Sequence, residues 1–245
     1  MKSQTEYYTA RRAELVHEFD EETEHWQAVL VLQYGLDLAE RMLRASRDQF
    51  QSLLPQLPYI GGDDNHLTNS LIDSAQCLAL YRAMQAHGHT AAEAGQVLYD
   101  AILRRQASST SISSAPPLTP EQLMERRRQR AAQSQERRYP GDYVYVFVAG
   151  DGEAFDYGYG YGYDYGYDFS ECAAQKFYRA QGAEAFLPYY CFLDYAWSQM
   201  LGQGLSRNMT LSEGDALCTH RFKRGRETLV KWPPPFGARP GAAHG

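Results

Sequence analysis

The chain predicts an α+β fold: an N-terminal helical region followed by a small antiparallel sheet packed against two helices. Three observations carry this. Apolar residues recur at three-to-four spacing through the first hundred residues, an unbroken β-branched and aromatic run stands at Tyr143-Val144-Tyr145-Val146-Phe147-Val148, and two helix-start signals separate that run from later strand patterns. The organisation that follows is a helical region over 1–106, a Ser/Pro linker with an arginine-rich helix over 107–139, an α+β domain with the candidate site over 140–230, and a disordered tail over 231–245.

Taken in order, Val29, Leu32, Leu36, Ala39, Leu43 and Phe50 predict one long amphipathic helix over 24–50, ended by Pro55 and Pro58. Pro58-Tyr59-Ile60-Gly61-Gly62-Asp63-Asp64-Asn65 reads as a turn; a second helix then runs from Leu67 toward Gly88, which supplies a left-handed cap. Thr90 and Glu93 form a capping box for a third helix to about Arg105. After the linker at 107–120, Thr119 caps the arginine-rich helix with Pro120 in its first turn; its interleaved glutamates and lack of aromatics indicate a solvated helix. The run at 143–148 predicts a strand with both faces covered. Tyrosines alternate with glycine or aspartate from Tyr157 to Tyr167; glycine at that frequency weakens a strand, so a mobile loop is expected, with Tyr167–Glu171 re-entering the sheet. Helices are expected near 172–181 and 188–202, then a hairpin of Arg207–Leu211 and Ala216–Phe222, whose alternation puts Arg207, Met209, Cys218, His220 and Phe222 on one face.

At 245 residues, 44% hydrophobic and 22% charged, the chain has material for one large or two small cores. Neither a signal-peptide run nor an apolar stretch of about 20 residues occurs, so a cytoplasmic location and no membrane partner are expected. A net charge of −6 argues against nucleic acid. In a reducing compartment the four cysteines read as buried thiols, ligands or nucleophiles rather than crosslinks.

Cys191 and Asp194, at i and i+3, share one face of the helix after Pro188. Aromatic surroundings are expected to raise the Asp194 pKa toward neutrality, unless it pairs with Arg207 or Arg221. Cys172 stands at a strand-to-helix junction, where a helix N-terminus favours the thiolate. Cys172, Cys191, Cys218 and His220 make a formal zinc set, but only the last two are close in sequence, so no metal is assigned and no cofactor is expected.

Several segments together resemble the L-2-amino-thiazoline-4-carboxylic acid hydrolase family: Pro58-Tyr59-Ile60-Gly61-Gly62 with Asn65, Ala79-Leu80-Tyr81-Arg82 with Gly88, Glu171-Cys172, Cys191-x-x-Asp194, Arg207-x-x-Thr210 leading to Gly214, and Cys218-x-x-Arg221-Phe222. The family pattern more often has aspartate and then an aromatic where this chain has Thr219 and His220. The resemblance implies hydrolytic opening of a five-membered thiazoline ring that carries a carboxylate, giving a carbamoyl-cysteine. In that chemistry Cys172 is the expected nucleophile or activator of water, Asp194 the proton shuttle, and Arg207 or Arg221 the clamp on the substrate carboxylate. Cys191, Cys218, His220, Thr210 and Asn65 would line the substrate. Two other readings compete: a diverged member that tailors another small heterocycle or only binds a ligand, and a zinc-stabilised interaction module.

Overall fold

The computed structural model describes residues 4–105, 118–150 and 163–235. The linker at 107–117, the tyrosine repeat as far as residue 162 and the tail from 236 lie outside the described residues.

The long helix expected over 24–50 is two helices. A short α1 (Gln4–Ala10) leads into α2 (Arg12–Tyr34), and α3 (Leu36–Leu53) returns after the single residue Gly35, whose φ of +81° is open to glycine and strained for other residues. The return is antiparallel: Phe19 stacks on Phe50 at 4.7 Å, and Asp20 accepts two hydrogen bonds from Arg47 at 2.7 and 3.1 Å. Leu32 and Leu36, counted as core positions by spacing alone, flank the bend and are 72% and 54% exposed.

Helix α4 (Thr68–Ala86) ends at Gly88 with φ +88°, and α5 (Ala91–Arg105) starts with the Thr90–Glu93 box. Thirteen residues of α4 are buried, on every side of the helix, which makes it the central element. Thr119 caps α6 (Pro120–Ser134) through a box with Gln122. This helix is not simply solvated: Ala131 is buried, and the Arg127 guanidinium lies 3.7 Å from the centre of the Tyr165 ring.

The sheet is antiparallel, in the order β1 (Val144–Ala149), β2 (Tyr165–Glu171), β4 (Cys218–Arg224), β3 (Gln203–Ser206). Strand β1 is an edge, and Val146 is 47% exposed, so its two faces are not both covered as its composition suggested. Strand β2 begins at Tyr165, so the end of the tyrosine repeat belongs to the sheet. Cross-strand register puts Tyr145, Tyr165, Tyr167, Phe169, Leu205, Cys218, His220 and Phe222 on one face, and Asp168, Thr219 and Arg221 on the other.

The expected hairpin strand at 207–211 does not form. Residues 207–217 make an irregular connection whose backbone is held by side chains: Thr219 Oγ1 accepts from the amides of Asn208 and Met209, and Asp215 Oδ2 accepts from Thr210 N. Helices α7 (Ala173–Ala180) and α8 (Leu187–Met200) occupy the expected positions. Gly95 of α5 lets α8 approach closely, since a Cβ there would lie 2.8 Å from that of Tyr189. One apolar core runs from Phe19 and Phe50 through α4 and α5 to Phe192 and Leu205.

Candidate active site

Helix α8 organises the site. Leu187, Phe192, Leu193, Tyr195 and Ala196 are buried, whereas Tyr190, Asp194 and Trp197, at i, i+4 and i+7, stay partly accessible along one face with Cys191 beside them. The Asp194 side chain is 46% accessible, so its carboxylate can be reached from solvent.

Asp194 Oδ2 accepts from Arg207 Nη1 at 3.0 Å and lies 3.2 Å from His220 Nε2. Arg207 also donates to the Cys191 carbonyl at 2.9 Å and stacks on Tyr195; its side chain is 6% exposed. Burial pushes the Asp194 pKa up, but the His220 hydrogen bond and charge together with the Arg207 guanidinium outweigh it, so the carboxyl is held below its usual range. The sequence-based expectation of a raised pKa is thus reversed by its two partners. A carboxylate at Nε2 requires a proton on that nitrogen, and the other ring nitrogen, Nδ1, is buried with no hydrogen-bond partner among the described residues.

Cys172 is the N-cap of α7, and the Gln175 amide donates to its Sγ at 3.5 Å. Burial pushes the thiol up to about 12 and outweighs the helix N-terminal amides, so it rests protonated rather than as the expected thiolate. Cys218 and Asp194 push the Cys172 thiol up further by their charge. Cys191 and Cys218 are likewise pushed up by burial, and Cys218 Sγ donates to Thr210 Oγ1 at 3.7 Å.

The structure does not bring every candidate here. Arg221 lies on the opposite sheet face, bound to Asp168 at 2.6 Å. The Asn65 side chain is engaged by the Ile60 carbonyl, Asp142 and the Leu67 amide, in the service of the turn. Cys172, Cys191, Cys218 and His220 do not form a ligand cluster: among the described residues no group of three or more such side chains could hold a metal ion. A furrow along α6, lined by residues such as Leu118, Gln122 and Arg126, involves none of the site residues. Among the described residues no helix is long and apolar enough to cross a membrane.

Sequence reasoning missed Asp73. It projects from α4 to within 3.4 Å of the Tyr190 hydroxyl, one helical turn along α8 from Asp194. Burial, then the like charge of Glu22, raise its pKa to about 7, and Asp194 contributes in the same direction. An aspartate inside an otherwise apolar helix stretch, Leu71-Ile72-Asp73-Ser74-Ala75, was the available signal.

The family model for L-2-amino-thiazoline-4-carboxylic acid hydrolase matches residues 69–222, more than half of the chain, and the chain belongs to that family. Comparison with curated proteins and with solved structures finds no match.

Proposed function

With family membership as the premise, we propose that this protein opens the ring of 2-amino-thiazoline-4-carboxylate, or a close analogue, by breaking its C–S bond to give a carbamoyl-cysteine. The observation that supports this most is the accessible Asp194 carboxylate, gripped by Arg207 and His220 and acting electrostatically on the Cys172 thiol. The substrate is an amidine, whose central carbon is electrophilic once protonated. Cys172 Sγ attacks that carbon as its proton passes to the Asp194–His220 pair, and the ring C–S bond breaks with a proton from Asp73 to the leaving sulfur. Water then adds to the same carbon with one proton going to the Asp73 carboxylate left by the first step, the pair returns to Sγ the proton it took so that Cys172 departs as a thiol, and the carbonyl forms as the amidinium proton is released to solvent. Burial that keeps the resting thiol protonated is offset when the cationic amidine docks. The two carboxyls match their tasks: Asp194 is held ionised to accept, and Asp73 is protonated near neutral pH to donate.

Incubating the purified protein with the substrate should release a free thiol and a carbamoyl-cysteine mass, and Cys172→Ser should abolish both. No ring opening by the wild-type chain would remove this reading. It would favour a member diverged toward another heterocycle, a reading supported by His220, which stands inside the Asp194 cluster where the family pattern more often has an aromatic.

A further inference from the structure

A substrate carboxylate calls for a cation; of the arginines singled out from the sequence, Arg207 is bound to Asp194 and the Cys191 carbonyl, and Arg221 lies on the opposite sheet face with Asp168. Another guanidinium stands at the α8 face. Trp197 lies three residues beyond Asp194 and seven beyond Tyr190, so the three side chains share one side of the helix over a rise of about 10 Å. Arg105, the last residue of α5, places its guanidinium 5.4 Å from the centre of the Trp197 ring and pairs with Glu22 of α2. Its Nε is buried and has no hydrogen-bond partner among the described residues. An orphaned guanidinium N–H costs stability in the free protein, and an anion oxygen arriving beside it would remove that cost.

We propose that Arg105 is the anion-binding residue of the α8 face, taking the carboxylate of the small zwitterion, and that Glu22 positions it. The proposal rests on the ring-opening reading and adds two things to it. The first is a residue that selects carboxylate-bearing rings over bare ones. The second is a role for α2, which lies outside the family-matched stretch 69–222. The α8 face then carries both charges such a ligand needs: Arg105 reaches it at Trp197, and the Asp194–His220 pair stands one helical turn away. Ionic attraction to Arg105 orients the ring with its amidine carbon toward Asp194.

The test compares two substrates with the full chain: 2-amino-thiazoline-4-carboxylate, and 2-amino-thiazoline, the same ring without the carboxylate. The readout is the ratio of the two kcat/KM values. Wild type favours the carboxylate, and Arg105→Gln lowers the ratio by about ten- to a hundredfold, chiefly through KM, as expected for one lost charged hydrogen-bonding contact. Arg105→Lys keeps the charge without the planar fork and gives an intermediate ratio. A wild-type ratio in folded Arg105→Gln overturns the assignment while leaving ring opening intact. Should Arg105→Gln fail to fold, Arg105→Lys decides, and an unchanged ratio there overturns the assignment. If the wild-type chain opens neither ring, the assignment and the ring-opening reading fall together, an outcome the wild-type control separates from the others.

Discussion

Asp73 reaches the Tyr190 hydroxyl from α4, Asp194 stands one helical turn further along α8, and the protein holds the two in opposite states. Around Asp194 stand a guanidinium and an imidazole, which outweigh burial and keep the carboxyl ionised. Around Asp73 stand burial and the Glu22 carboxylate; the Tyr190 hydroxyl and Arg105 oppose them without prevailing, and the carboxyl titrates at about 7. The side chains are identical, so the difference belongs to their neighbours. Two like acids driven apart in this way supply an acceptor and a donor at one pH.

The largest effect should come from removing the ionised partner. Asp194→Asn is expected to lower kcat by about a thousandfold, within the range of a lost general base. It also strands the buried Arg207 charge, for a loss of about 2 kcal/mol, below the usual buried-pair value because Asp194 is 46% accessible. A lowered folded pKa gives stability that is present above the unfolded carboxyl pKa and lost in acid, so denaturation midpoints of wild type and variant should converge below about pH 4.

Asp73→Asn should cost about a hundredfold in kcat and erase a fall in wild-type activity above pH 7 or so. Its stability effect has the opposite sign. A raised folded pKa contributes stability that is fully present below the usual value of 3.8 and lost as pH rises through about 7. The asparagine variant should therefore melt above wild type at pH 8, the gap closing toward pH 4.

His220→Phe restores the aromatic of the family pattern and should cost about tenfold in kcat/KM, by leaving Asp194 to accept the proton alone. Unchanged kinetics would show that the imidazole only packs. Arg221→Gln should have the smallest catalytic effect, within about twofold, while the melting temperature falls because Asp168 loses its partner. A large kinetic loss would mean that the far face of the sheet communicates with the Asp194 site.

Much of this was readable before the structure. Capping residues carry their own geometry, so Thr90, Thr119 and Gly88 set helix ends where expected. Local spacing also put Cys191 and Asp194 on one helix face, and Cys218 and His220 on one sheet face, but Arg207 was placed there through a strand that does not form, and the approach of His220 to Asp194 joins residues 26 apart that no local pattern links. The Gly35 bend was hidden by apolar spacing that runs through it. Protonation states were beyond reach because they depend on burial and on distant partners. Asp73 and Tyr190 are 117 residues apart, and the amides that should have favoured the Cys172 thiolate are outweighed by a burial that no local pattern records.

The central claim is that two carboxyls beside one helix, α8, differ in protonation at neutral pH. Carbon-13 NMR of protein labelled at the aspartate side-chain carboxyls, followed from acid pH to pH 9 and assigned with Asp73→Asn and Asp194→Asn, tests it directly. The account predicts one resonance that titrates near 7 and vanishes in Asp73→Asn, and one that titrates below the usual aspartate value and vanishes in Asp194→Asn. Two resonances titrating together in the ordinary carboxylate range, or the near-neutral one vanishing in Asp194→Asn, would contradict it.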